Sequence, residues 1–432
     1  MHGFIGRGLA AAATVLIGIT AAPGIAHASS GSPAKHSYVK VGYFTQWGIY
    51  GRDFPVAKVD KSGAAAGLTH LNYAFGPVTA AGVCDSADPW ADWQVPFAAD
   101  HSVDGVADTA DQPIAGNLHQ LAELKAKHPG LRVLMSLGGW SGSAYFSDAA
   151  LTDASRKKLV SSCVDLWLKG NLPGVAAGAA SGIFDGIDLD WEWPGSAGND
   201  GNIIRPEDRT NFTLLAAEFR KQLDALGRGT RKHYDLTAFL PAAPAKIDAG
   251  FEARKIFKYL DFGTVQGYDF HGSWEAVTNQ QSALRVPAGA PDNPDFSIEV
   301  AINTWRSRGA PSDHLVLGIP YYGQGWTSTG GLFAPGTGGA PGTFAVGTED
   351  YKVLKTLPAA GFTVHRDWRA GHSWISDGTT FWTYDDPAQI LQKTAYIRSQ
   401  GLGGAMMWSL DGDDEKASLT RTVAAGLWGP RF

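Results

Sequence analysis

Short apolar runs alternate with longer amphipathic stretches along the whole chain. The runs Tyr38–Thr45, Leu68–Phe75, Leu131–Gly139, Phe184–Glu192, Tyr234–Ala242, Phe262–Phe270, His314–Gly323 and Gly403–Leu410 have the length and side-chain character of buried strands. Between them, Asn117–His128, Asp148–Lys169, Pro206–Leu226, Ser297–Arg308 and Pro387–Gln400 repeat apolar positions at helical spacing, several stopping near glycine. Eight strands alternating with helices predict an α/β fold, the closed (β/α)8 or TIM barrel.

Such a barrel takes about 250 residues, so a large share of the 432 must lie elsewhere. Two stretches absorb much of it. Residues 76–111 form a long connection after the second strand, with Trp90, Trp93 and Phe97, and residues 324–383, rich in Gly, Thr and aromatics, predict a small α+β insertion between strands seven and eight. Both follow the C-terminal end of a strand, the face on which barrels build their sites. Residues 1–28 read differently: Arg7 precedes an apolar run from Leu9 to Ala22, then Pro23, Gly24 and Ala26-His27-Ala28. That is the pattern of a signal peptide cleaved after Ala28, which predicts a secreted, extracellular chain with residues 29–432 as one catalytic domain. No later apolar run is long enough to cross a bilayer.

Composition narrows the partners. A formal charge of -6 with 18% charged residues gives no basic excess to grip phosphates, which argues against a nucleic-acid partner. The 15 tryptophans exceed what a core needs, so some are candidates for a ligand surface. In an oxidising compartment Cys84 and Cys163 are candidates for one disulfide, with two buried thiols as the alternative.

The most informative run is Phe184-Asp185-Gly186-Ile187-Asp188-Leu189-Asp190-Trp191-Glu192. Strand side chains alternate, so Asp188, Asp190 and Glu192 share one face at steps of about 6.6 Å, and Ile187, Leu189 and Trp191 share the other. The apolar set packs on the helices, which sends three carboxylates into the barrel. Like charges in that space must share protons or meet something bound. Two chemistries fit: a carboxylate-bound Mg²⁺ or Ca²⁺, and acid/base catalysis with a carboxyl that keeps its proton near neutral pH. No His or carbonyl-rich loop stands at fixed spacing to complete a metal shell, so the expectation is no metal and no cofactor, with Glu192, the outermost of the three, as the acid.

Asp185-x-x-Asp188-x-Asp190-x-Glu192 resembles the signature of glycoside hydrolase family 18, the chitinases and their relatives. The likeness extends to Ser136-Leu137-Gly138-Gly139-Trp140 at the end of strand three, Gly267-Tyr268-Asp269 after strand six, Tyr322 after strand seven and Trp408 at the end of strand eight. The insertion makes the chain look most like bacterial chitinases with an α+β insertion domain. The resemblance implies a retaining mechanism in which the substrate's own 2-acetamido oxygen attacks the anomeric carbon and forms an oxazolinium ion. It implies Glu192 as acid and then base, Asp190 and Asp188 as orienting and proton-sharing carboxylates, and Tyr268 as donor to the acetamido group. Asp269 and Tyr322 would bind sugar, Trp408 would form the floor, Trp140 and Trp274 would lie on the leaving-group side, and Tyr43 and Trp47 toward the other end. Strand parity leaves Trp191 to packing.

The chain departs from the family pattern at Gln266, Gln324, Ala345 and Ser409, positions where the resemblance would put Met, Arg, Glu and Glu. None belongs to the proton-transfer core, so the departures bear on sugar binding. The expected partner is chitin and its N-acetylglucosamine oligomers, cut at β-1,4 linkages by a monomer with no membrane partner. An endo-β-N-acetylglucosaminidase acting on N-glycans, or a non-catalytic chitin-binding lectin, are the alternatives.

Overall fold

The computed structural model describes residues 37–291, 296–328 and 330–428, and the predicted signal peptide lies outside them. Eight parallel strands close into a barrel: β1 (Val39–Thr45), β2 (His70–Gly76), β3 (Arg132–Gly138), β4 (Gly186–Asp190), β5 (Asp235–Leu240), β6 (Phe262–Val265), β7 (Leu315–Pro320) and a last strand, Gly404–Trp408, that closes between β1 and β7. Residues 321–403 intervene before that closing strand. They contain β8 (Tyr322–Thr327), β9 (Thr348–Asp350), β10 (Thr363–Asp367), β11 (His372–Ser376) and β12 (Thr380–Tyr384), so the closing strand is β13.

Strands β8 to β12 form an antiparallel five-stranded sheet in the order β10-β11-β12-β8-β9. Its first strand begins two residues before the predicted insertion, because the predicted seventh strand divides. Pro320 ends the parallel run, Tyr321 still donates its N–H to Trp408 O at 2.8 Å, and Tyr322 leaves for the second sheet. The sixth strand is likewise shorter than predicted. It stops at Val265, and Asp269 sits beyond it in left-handed backbone at φ 55°.

The helices follow their sequence signals. Helix Pro387–Ser399 starts with Pro at its first turn and an Asp386 carboxylate accepting the N–H groups of Ala388 and Gln389. Helix Asp153–Cys163 starts in a reciprocal Thr152–Ser155 capping box. Strand parity sorts the core: Ile187, Leu189 and Trp191 of the fourth strand join the layer between barrel and helices, where Trp191 stacks on Phe146 at 5.3 Å. A smaller cluster, with Val41, Phe239, Val316 and Met406, fills the barrel interior. Cys84 and Cys163 are joined in a disulfide that ties the connection after β2 to the end of helix Asp153–Cys163.

Candidate active site

Above the C-terminal ends of the strands lies a cleft of about 1000 Å³ with Asp190, Glu192, Tyr268, Asp269 and Trp408 among its lining. Its base is a row of side chains aligned by sheet register. Ser136, Asp188 and Thr237 stand directly opposite one another on β3, β4 and β5. Both outer hydroxyls donate to Asp188, Ser136 at 2.8 Å and Thr237 at 2.6 Å, and Tyr43 donates from β1 at 2.7 Å. Burial raises the Asp188 pKa even so, against the three hydroxyl donors.

One step up the strand, Asp190 is buried and its Oδ1 has no hydrogen-bond partner among the described residues. Burial, then the neighbouring Glu192 and Asp188 carboxyls, push its pKa well above the usual range. Glu192 follows at the cleft surface. Its N–H donates to Ser143 Oγ at 3.0 Å and its carbonyl accepts from Asn202 Nδ2 at 2.8 Å, so the backbone that carries the carboxyl is held on both sides. Burial first, and then the Asp269 carboxylate, push the Glu192 pKa up to about 8, against a lowering pull from Lys246 and Asp190.

The Ser-x-Gly-Gly run has a steric reason. Gly138 lies at φ 103°, where a Cβ would stand 2.4 Å from Asp190 O, and Gly139 lies at φ 73°, where one would stand 2.6 Å from the Phe75 ring. Only glycine lets β3 turn away while its neighbours close on the fourth strand and the cleft floor.

Tyr268 is buried, with its hydroxyl 3.9 Å from Met406 Sδ and its ring against Phe239 and Tyr322. Asp269 accepts from Gln324 Nε2 at 2.8 Å and also bonds Tyr322. Gln324, where the family pattern has Arg, thus meets Asp269 as a neutral partner. Trp408 stacks on Phe75 at 5.6 Å and 19°, and Phe75 continues to Trp47 at 6.1 Å. Trp47, Trp140 and Trp274 line the cleft at 42%, 49% and 62% exposure. Trp326, buried in β8, donates to Glu275 O and so fixes the segment that carries Trp274.

Tyr43 lines the cleft with its ring 5.2 Å from Trp408. It is 1% exposed, because its position on β1 points into the barrel, and its hydroxyl donates to Asp188. Phe344 stands outside the cleft lining, under the Arg52 guanidinium at 4.1 Å. Sequence reading passed over Thr237, Phe75, Trp193 and Lys246, and took Ser136 only as the head of the Ser-x-Gly-Gly run. Thr237, like Ser136, was findable as a hydroxyl at an inward position of an otherwise apolar strand. Asp92, fully buried and pushed up to about 6 by that burial, was also missed; it takes hydrogen bonds from Gln46, Tyr73 and Ser86 and anchors the connection after β2 beside Trp47. Among the described residues, the groups of side chains close enough to share a metal ion are Asp108, His119, Glu123 and His233, Asp235, Asp261, all outside the cleft lining.

The profile of glycosyl hydrolases family 18 matches residues 39–413. The chain belongs to that family. Within family 18 it is similar to Chitinase C of Streptomyces lividans, 40% identical over 89% of this chain and 58% of the relative. Chitinase A1 of Niallia circulans is 35% identical over 93% of this chain and 60% of its own length. The chain thus spans about three-fifths of the length of these curated relatives. Among solved structures, the catalytic domain of the psychrophilic chitinase B from Arthrobacter TAD20 superposes with a TM-score of 0.87 at 48% identity, covering 90% of this chain and 95% of that one.

Proposed function

We propose that the protein is a secreted chitinase that hydrolyses β-1,4 linkages between N-acetylglucosamine units with retention of anomeric configuration. The observation that carries this reading is the ordered stack of Asp188, Asp190 and Glu192, with its outermost carboxyl in the cleft and pushed up to about 8. A carboxyl with that pKa holds a proton at neutral pH and can hand it to the glycosidic oxygen. As the bond breaks, the acetamido carbonyl oxygen of the reacting sugar bonds to the anomeric carbon, giving an oxazolinium ion. Glu192, now a carboxylate, takes a proton from the water that opens it.

Asp190 has an unpartnered oxygen with which to accept the acetamido N–H and balance the developing positive charge. Asp188, held by three hydroxyls, stores the shared proton below it. Tyr268 has no strong internal partner for its hydroxyl and is free to donate to the acetamido group. Trp408, backed by Phe75, supports the reacting sugar by stacking on its C–H face; Asp269 and Tyr322 bind its polar edge, and Trp47 lies farther along that side. Trp140 and Trp274 present open indole faces to the leaving-group sugars.

The names of the similar proteins support chitin as substrate, and the disulfide together with the N-terminal pattern supports export. No helix among the described residues is long and apolar enough to cross a membrane. The test is mass spectrometry and proton NMR of early products from acetylated chitin oligomers, beside a glucose oligomer and a high-mannose glycopeptide. Chitin oligomers should yield β-anomers first and the glucose oligomer should be inert. Turnover of the glucose oligomer would overturn acetamido participation, and preference for the glycopeptide would overturn the substrate.

A further inference from the structure

The cleft lining carries three carboxylates and one cation, Lys246. Lys246 lies on the short helix Pro244–Gly250 that follows β5, with its Nζ 5.2 Å from the centre of the Trp193 ring. Trp193 is itself buried, so the ring is a fixed seat that holds the ammonium at the cleft surface. Among the described residues no carboxylate forms a salt bridge with it; its electrostatic partner is Glu192, and burial lowers its own pKa. A half-buried cation that spends its charge on no ion pair is placed to act on whatever enters the cleft.

Direction follows from the barrel. The aromatic series Trp408, Phe75, Trp47 runs from the floor toward the ends of β1 and β2. In the closed order β1-β13-β7-β6-β5-β4-β3-β2, β5 lies four strands from β1 in either direction, straight across the mouth. Lys246 therefore stands beyond Glu192 on the side away from that series, where the leaving-group sugar goes if the reacting sugar lies on Trp408. Natural chitin contains units that have lost the acetyl group and carry a 2-ammonium instead. In the leaving group nothing in the bond-breaking step requires an acetamido group, so any preference there must come from the cleft wall.

We propose that Lys246 makes the leaving-group side of the cleft reject glucosamine and accept N-acetylglucosamine, by placing a fixed positive charge where a deacetylated unit would bring a second one. The like-charge contact gives the discrimination, and the neutral acetamido unit is indifferent to it. The acidic groups of the cleft do not cancel this. Asp188 and Asp190 are buried below the sugar, Glu192 must hold a proton to react, and Asp269 already accepts from Gln324 and Tyr322. This inference rests on the chitin-hydrolase reading above.

The experiment is digestion of a half-deacetylated chitin oligomer mixture in mildly acidic buffer, with the products sequenced by mass spectrometry, beside fully acetylated oligomers as the reference. The wild type should give products whose first two units at the new non-reducing end are enriched in N-acetylglucosamine, by about tenfold at one of these positions. Lys246→Met should bring that position back to the average of the substrate, Lys246→Glu should enrich it in glucosamine, and Lys246→Arg should keep the wild-type bias. The Arg variant separates charge from a merely structural role. A wild-type pattern at the substrate average, or one unmoved in Lys246→Met and Lys246→Glu while acetylated oligomers are still cut, would overturn the inference alone. Loss of all cleavage of acetylated oligomers by the wild type would instead overturn the function on which it rests.

Discussion

Buried carboxylates toward the two mouths of this barrel have their pKa values displaced in opposite directions. At the N-terminal mouth, Asp235 meets Arg132 and His70, the first residues of β3 and β2. Burial would raise its pKa, but His70 and Arg132 outweigh that and hold it below the usual carboxylate range. Toward the other mouth, Asp188, Asp190 and Glu192 have hydroxyls, each other and, among the described residues, no salt-bridged cation, and all three are raised. Burial alone therefore does not decide what a carboxylate does in a barrel. A paired cation makes the first cluster a structural clasp, and its absence leaves the second with protons to exchange.

The largest break in the comparison is Glu192→Gln. It should reduce oligomer hydrolysis by about 10²–10⁴-fold with the circular dichroism spectrum unchanged, since only the transferable proton is lost. Asp190→Asn should also cut activity, yet it should raise the Tm by a few degrees at neutral pH. A carboxyl whose folded pKa lies above its unfolded value of about 3.9 destabilises the fold when ionised. The gain over wild type should therefore grow as pH rises above about 4 and vanish below it, which thermal melts across pH would check. Asp235→Asn should do the reverse, losing about 1–2 kcal/mol at neutral pH with kcat unchanged; a fully buried pair would cost more, but Arg132 is partly exposed. Because the folded pKa of Asp235 is depressed, that difference is fully present above its unfolded pKa and disappears as pH falls through the folded one.

The smallest effect sharpens the balance around the acid. In the proposed mechanism Glu192 enters the first step protonated, so activity should fall as pH rises through about 8. Asp269→Asn removes a charge that raises this pKa and should move the alkaline limb of kcat/KM downward by up to about one unit. Lys246→Met removes a charge that lowers it and should move the same limb upward. A pH–rate profile of the two variants in which both limbs moved the same way would show that neither charge acts through Glu192.

Much of this was legible in the sequence because strand parity is a strict rule. The alternation from Ile187 to Glu192 separated packing from chemistry, and Trp191 went to the helices as parity requires. What parity along one strand cannot give is register between strands. Ser136, Thr237 and Tyr43 meet Asp188 only because three other strands align with it, and neither the motif that holds Ser136 nor the run that holds Tyr43 shows that meeting. Lys246 was hidden for another reason: it lies on the short helix Pro244–Gly250, in a connection where the apolar pattern predicts no element. The sixth strand stops at Val265, short of the left-handed Asp269, and the seventh stops at Pro320, ends that a run of apolar residues conceals.

The antiparallel sheet inserted between β7 and β13 brings Gln324 into the cleft lining, across from the indole faces of Trp47 and Trp140 that line it too. On the proposed chitin substrate, indole faces set inside a cleft would take a single loose strand and not a flat crystalline face. On solid substrate the rate would then follow the number of strands standing loose at the surface, and grinding the solid finer would speed the reaction more than any improvement in proton transfer.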